Sequence, residues 1–163
     1  MDELEIKLAR LTDLMERRQL DGIVLQRISS FAWATCGAAS YIALTTLNGV
    51  AWVYIERGSR WIITNNIEAA RLEAEEPLLE QGWKFAVCAW HGQPEDELKK
   101  LCSGKRIGAD GAYPAAVDLS EEMIDLRANL TPFEQGRFRQ LGKLCAAAME
   151  STLFKIRPGM SEI

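Results

Sequence analysis

The feature that most restricts this chain is a pair of apolar segments separated by four residues in its first half. Val50 to Ile55 (VAWVYI) reads as a buried strand, Arg57-Gly58-Ser59 as a turn, and Arg60 to Thr64 (RWIIT) as its antiparallel return. A hairpin bounded by β-branched and aromatic residues must sit inside a sheet, because two strands alone bury too little to be stable. What surrounds it alternates. Residues 2–19 place Leu4, Leu8, Leu11, Leu14 and Met15 on one helical face, with Glu3-Lys7 and Asp13-Arg17 as surface pairs four residues apart. Asp21-Gly22 ends that helix, and Ile23-Val24-Leu25 suits a strand covered on both faces. Helix, turn and buried strand beside a hairpin indicate an α/β arrangement.

The remaining elements extend this pattern. Ser29 or Ser30 caps a short helix through Phe31, Ala32 and Trp33, closed by Gly37; Tyr41 to Leu47 is a loop or an edge strand; Asn48-Gly49 is a turn. Asn65 or Asn66 caps a helix to about Leu79, and Trp83 to Trp90 alternates as a strand. Pro94 opens a helix with an acidic start and a basic end, which suits the helix dipole. Arg106 to Ala109 is a short last strand, and residues 117–127 form a helix capped by Ser120. The fold class is therefore α/β: a mixed sheet of about five strands with a central antiparallel hairpin and flanking helices. A long helix follows it, with the α/β domain at 1–127 and the appendage at 128–163. In that appendage Thr131, Pro132 and Glu134 make a capping box with proline at the first helical position. Phe138, Leu141, Cys145, Ala148, Thr152 and Ile156 form its apolar stripe, and Pro158-Gly159 is the stop signal. Ser161-Glu162-Ile163 reads as the cap of another helix, so the chain is expected to be the front of a longer protein.

Length and composition narrow the functional classes. The 163 residues suffice for one buried domain plus an appendage. A net charge of -4 with scattered Lys and Arg gives no electrostatic case for nucleic acid. No apolar run approaches the ~18 residues that a membrane span needs. The four cysteines (Cys36, Cys88, Cys102 and Cys145) are dispersed, as in a reduced cytoplasmic protein. Few groups invite chemistry. His91 is the single histidine, and Cys88 lies three residues before it. On a strand, positions three apart point to opposite faces, which argues against a Cys-His nucleophile. Glu73, Glu75, Glu76 and Glu80 read as a solvated face, and Gly108-x-x-Gly111 lacks the rest of a phosphate-binding fingerprint. The strand tryptophans read as core. Phe31, Trp33 and Tyr41, flanking a glycine-containing loop, are the better candidates for contacts with a ligand.

The segments DGIVL, SSFAWATCGAASYI, GVAWVYIE and WIITNNIEAARLEAEE, followed by LTPFEQGRFRQLGKLCAAAMESTLFKIRPGMSEI, resemble the N-terminal half of the creatinase/prolidase/Xaa-Pro aminopeptidase family. Leu130, Thr131, Glu134, Arg139, Pro158, Gly159, Ser161 and Glu162 fall on its linker pattern. The resemblance implies an α/β N-terminal domain ahead of a pita-bread metallohydrolase domain. It places the divalent metal pair (manganese, cobalt or zinc) and its Asp, His and Glu ligands in that second domain, so no metal or catalytic residue maps onto this chain. It further implies a homodimeric parent acting on a peptide or small amide, with this domain lending contacts to the active-site rim; Phe31, Trp33 and Tyr41 would supply them. Where relatives carry polar residues after the F-A-W-x-T-x-G segment, this chain has Ala39 and Ser40. The alternative is a binding or scaffold module of a catalytically inactive homologue.

Overall fold

The computed structural model describes residues 2–43 and 45–161, so Leu44 in the 41–47 loop, and Glu162 and Ile163 in the expected final cap, lie outside the described residues. The chain divides into two compact units, Met1–Asn129 and Leu130–Ile163.

In the first unit α1 (Glu3–Arg18) opens on an Asp2 capping box and closes on Gln19 in the left-handed region, φ 53°. It leads through β1 (Gly22–Arg27) and α2 (Ile28–Ala34) to the hairpin of β2 (Asn48–Glu56) and β3 (Ser59–Asn65). After these come α3 (Asn66–Glu75), β4 (Lys84–Cys88), α4 (Pro94–Cys102), β5 (Ile107–Ala109), β6 (Val117–Asp118) and α5 (Ser120–Ala128). The sheet has six strands in the order β4-β3-β2-β1-β5-β6. β2 is antiparallel to both neighbours, whereas the β3–β4, β1–β5 and β5–β6 pairs are parallel.

The strands alternate between two cores, as their period of two requires. Ile23, Leu25, Val53, Ile55 and Ile62 face a large core shared with Leu11 and Met15 of α1, Phe31 of α2, Leu72 of α3 and Met123 of α5. Val24, Trp52, Tyr54 and Ile63 face a smaller one closed by Leu98 of α4, with Ile107 and Ala109. Four helices cover one face and a single nine-residue helix covers the other.

Several sequence expectations change for local reasons. The sixth strand is Val117–Asp118, which had read as the start of a helix; α5 begins only at Ser120, with Leu119 at the cap position and no side-chain cap. Both Asp21-Gly22 and Asn48-Gly49 had looked like turns. Instead each glycine lies in a strand and is required by close packing. A Cβ on Gly22 would come within 2.7 Å of the Tyr54 ring, and one on Gly49 would strike Ser40. α2 starts at Ile28 behind Arg27, so neither Ser29 nor Ser30 caps it. Asn65 does cap α3, accepting from the N–H groups of Ile67 and Glu68, but the helix stops at Glu75 ahead of Pro77.

The Glu3-Lys7 pair is buried, not superficial. Lys7 Nζ lies 2.7 Å from Glu3 Oε1 with its side chain 2% exposed, and 5.4 Å from the centre of the Trp33 ring. α2 leans on α1 at this point, so the aliphatic stem of Lys7 serves as core. Glu76 likewise leaves the solvated group. It accepts from the Ala39 N–H at 3.0 Å while Arg71 donates to the Ala39 carbonyl at 3.2 Å, clamping the start of the 39–47 segment.

The second unit is α6 (Pro132–Leu153), a 22-residue helix with the Thr131/Glu134 capping box, followed by turns. It ends short of Ile156 because Pro158 disfavours helical backbone at Arg157, whose guanidinium instead donates to the Phe154 and Ile156 carbonyls.

Candidate functional site

Strand directions bring the carboxyl ends of β1, β3, β4, β5 and β6 to the same edge as the amino end of β2. In α/β sheets such an edge is where ligands and partners are met. Three groups of side chains gather there.

The first is the segment between α2 and β2. The Ser40 carbonyl accepts from the Val50 N–H at 2.7 Å and the Leu47 carbonyl from the Ile28 N–H at 3.0 Å, so both ends are tied to the sheet. Between those ties Tyr41 is 44% exposed, Ile42 69% and Leu47 77%. Ser40 itself is buried and its hydroxyl has no partner.

The second group surrounds Asp110, fully buried at the end of β5. Its carboxylate accepts from the backbone N–H of Gln26 at 2.7 Å and of Arg27 at 3.3 Å, which splices β5 onto the end of β1. Ser120 donates to Asp118 at 2.7 Å, and that hydrogen bond holds the Asp118 carboxyl below its ordinary range. Arg127 donates to Ser30 at 2.6 Å; burial lowers its pKa while the charge of Asp110 opposes the shift. Each of these charged groups is met by backbone N–H or hydroxyl groups. The group is a strut that fixes α2 and α5 against the sheet edge.

The third is the end of β4, where Trp90 (67% exposed) meets His91 edge-on with ring centres 5.3 Å apart. His91 is exposed and Cys88 is buried; burial pushes the Cys88 thiol up, the opposite of what a nucleophile needs.

The three residues singled out from sequence thus separate. Phe31 is fully buried and Trp33 is 6% exposed, both in the larger core, and only Tyr41 reaches the surface. Sequence inspection passed over Asp110, Ile42 and Leu47. An Asp directly after a short strand was the available sign for the first. Exposure of the others could not be read from composition.

A dinuclear metal site does not fit these residues. Among the described residues no three His, Cys, Asp or Glu side chains converge, and the carboxylates at this edge are already committed to backbone and hydroxyl donors.

A family model for the creatinase/prolidase N-terminal domain matches residues 7–138. The chain belongs to that family. In overall structure it is similar to a Xaa-Pro dipeptidase from Bacillus anthracis (TM-score 0.70, 19% identity, covering 98% of this chain and 45% of that one). It is also similar to a prolidase from Pyrococcus horikoshii OT3 (TM-score 0.66, 15% identity, 96% and 44%) and to the dipeptidase PepE from Mycobacterium ulcerans (TM-score 0.62, 14% identity, 82% and 39%). At these identities the structural likeness shows the fold alone. The chain spans less than half the length of each of these structures. No curated protein sequence matches it. Among the described residues no helix is long and apolar enough to cross a membrane.

Proposed function

We propose that this creatinase/prolidase N-terminal domain is the non-catalytic front part of a cytoplasmic, homodimeric Xaa-Pro metallopeptidase. In this reading the metal pair and the hydrolytic residues belong to a following domain. The domain's own part is to hold dimer contacts and to present the loop after α2 at the active-site rim. The observation that carries the reading is the family match across residues 7–138 in a chain spanning less than half of its structural relatives. The helix α6 supports it. Taken by itself, it bears Phe138, Leu141, Leu144, Met149 and Leu153 at 54–62% exposure, a row that a following domain would cover.

Within the rim, Tyr41 is the contact residue. Phe31 and Trp33 act beneath it, packing α2 so that the clamp of Arg71 and Glu76 on Ala39 holds the loop in place. A scaffold role in an inactive homologue is the rival, favoured by the exposed apolar tip of Ile42 and Leu47.

The test is to read the open reading frame past Ile163, express its whole product, and assay Xaa-Pro dipeptides with manganese, cobalt or zinc added. Turnover that requires metal, with KM raised by Tyr41→Ala, supports the peptidase. A product that ends at Ile163, or a longer one that binds no metal, leaves the scaffold reading standing.

A further inference from the structure

The two lateral edges of the sheet are unequal. β6 closes one side and is two residues long. β4 closes the other and pairs with β3 from Trp61↔Lys84 to Asn65↔Cys88 without a bulge. Among the described residues no backbone group bonds to the outer side of β4. Its burial is low accordingly: Lys84 and Val87 are exposed and Phe85 and Ala86 half-buried, whereas Gly22 to Gln26 of β1, in the middle of the sheet, are all buried.

Proteins guard such edges with short strands, proline, bulges or charges that project outward. The shortness of β6 guards its side. β4 has no proline and a single charge, and Lys84 leans inward over β3, 3.5 Å from Ser59 Oγ and 5.2 Å from the centre of the Trp61 ring. The unpaired N–H and C=O groups beside Phe85, Ala86 and Val87 are left as a template for another strand.

We propose that a second copy of the chain docks here, the two β4 strands pairing antiparallel about a two-fold axis through Ala86, so that the sheet continues into the partner. This rests on the homodimeric reading above and assigns the dimer contact to a surface. The strand is complementary to itself in that register. Facing residues of an antiparallel pair share a face, and centring on Ala86 pairs all of β4. Phe85 then meets the partner's Val87, an aromatic and β-branched pair of the favourable kind, and the symmetry makes it twice. Lys84 meets the partner's Cys88, which keeps the two lysines at opposite ends. A parallel pair related by a two-fold along the strand would set each residue beside its own copy with side chains on opposite faces, which a pleated ladder does not allow. A foreign peptide would gain the same backbone bonds, but with no charged side chain after Lys84 the strand has little to select it by.

A pairing this short lies at the small end of specific interfaces, so the 163-residue chain is expected to dimerise with a Kd on the order of 100 µM. Sedimentation equilibrium across a roughly hundredfold concentration range around that value reads it. Val87→Lys, at an exposed position, should leave the melting temperature nearly unchanged and weaken the dimer by at least ~10-fold. In a glutathione buffer Ala86→Cys should form a disulfide between the two copies of residue 86, because facing Cα atoms lie about 4.5–5.5 Å apart. Val87→Cys, although more exposed, should form its own link at least ~10-fold less, since the two copies of residue 87 are diagonal neighbours about 7–8 Å apart. In the unaltered chain, amide exchange of residues 84–88 should slow as concentration rises, a measurement that needs no variant. A chain that stays monomeric throughout overturns the proposal, while the peptidase reading is still judged by metal-dependent turnover of the whole product. A dimer that survives Val87→Lys and yields no disulfide at residue 86 also overturns it, with the homodimeric reading intact. Assemblies larger than a dimer overturn it as well, because a two-fold pair uses up the edge.

Discussion

The two faces of the sheet are built by different means. On one face α1, α2, α3 and α5 enclose a core of aliphatic side chains with Phe31 and Trp33 among them. On the other, α4 lies over tryptophan and tyrosine rings, and polar tips are drawn into the layer. Tyr54 donates to Glu56 at 3.2 Å, Lys84 stands 5.2 Å from the Trp61 ring, and Trp61 Nε1 is buried without a partner. The first face is covered by four helices, although a cleft of about 490 Å³ remains between α1 and the β2–β3 hairpin. The second is thin enough to leave a cleft beside its one helix, so its defects can be met by water or a ligand.

The sharpest way to break this comparison is a matched pair of deletions. Phe31→Ala should cost about 4 kcal/mol in urea unfolding, because the sheet and the other helices of this core cannot all collapse into the void. Leu98→Ala, equally buried beneath α4, should cost about 2.5 kcal/mol, since a lone helix can settle onto the gap. Equal costs would mean that the faces do not differ in rigidity.

The buried pair on the closed face comes next. Glu3→Gln should cost about 2 kcal/mol, because Lys7 loses the charge facing it where solvent cannot replace it. Raising the salt concentration should barely alter that cost, whereas a surface pair would be screened.

On the open face the smallest effect is a pH dependence. Burial, together with the nearby Glu56 carboxylate, raises the Tyr54 phenol above its ordinary value of about 10, so the folded state keeps a proton that the unfolded chain has lost. Stability is therefore complete below about pH 10 and falls as pH rises beyond it, by about 1 kcal/mol at pH 11. Tyr54→Phe should remove most of that fall, as followed by thermal melts between pH 8 and 11. A fall that survives the substitution would belong to the other groups that burial raises, the Cys88 and Cys102 thiols and the Tyr113 phenol.

Much of this was legible in the sequence. The hairpin, the amphipathic face of residues 2–19, the Thr131 capping box, the acidic-to-basic run after Pro94 and the family resemblance all rest on short-range patterns. Such patterns carry their own physics: periods of two and 3.6, orphan N–H groups, the helix dipole. The same local rules misread Asp21-Gly22 and Asn48-Gly49, because both glycines answer to neighbours far along the chain. Tyr54 comes 32 residues after Gly22, a separation at which no dipeptide preference has force.

What the sequence by itself determined is the class of fold, the order of its elements apart from β6, and the family. Only tertiary structure decided that Lys7 is core, that Phe31 and Trp33 are buried while Tyr41 is exposed, and that Asp110 joins two strand ends. The physical reason is the same each time. Burial and pairing depend on which distant segments arrive at a residue, and a charged or aromatic side chain can serve either role until they do.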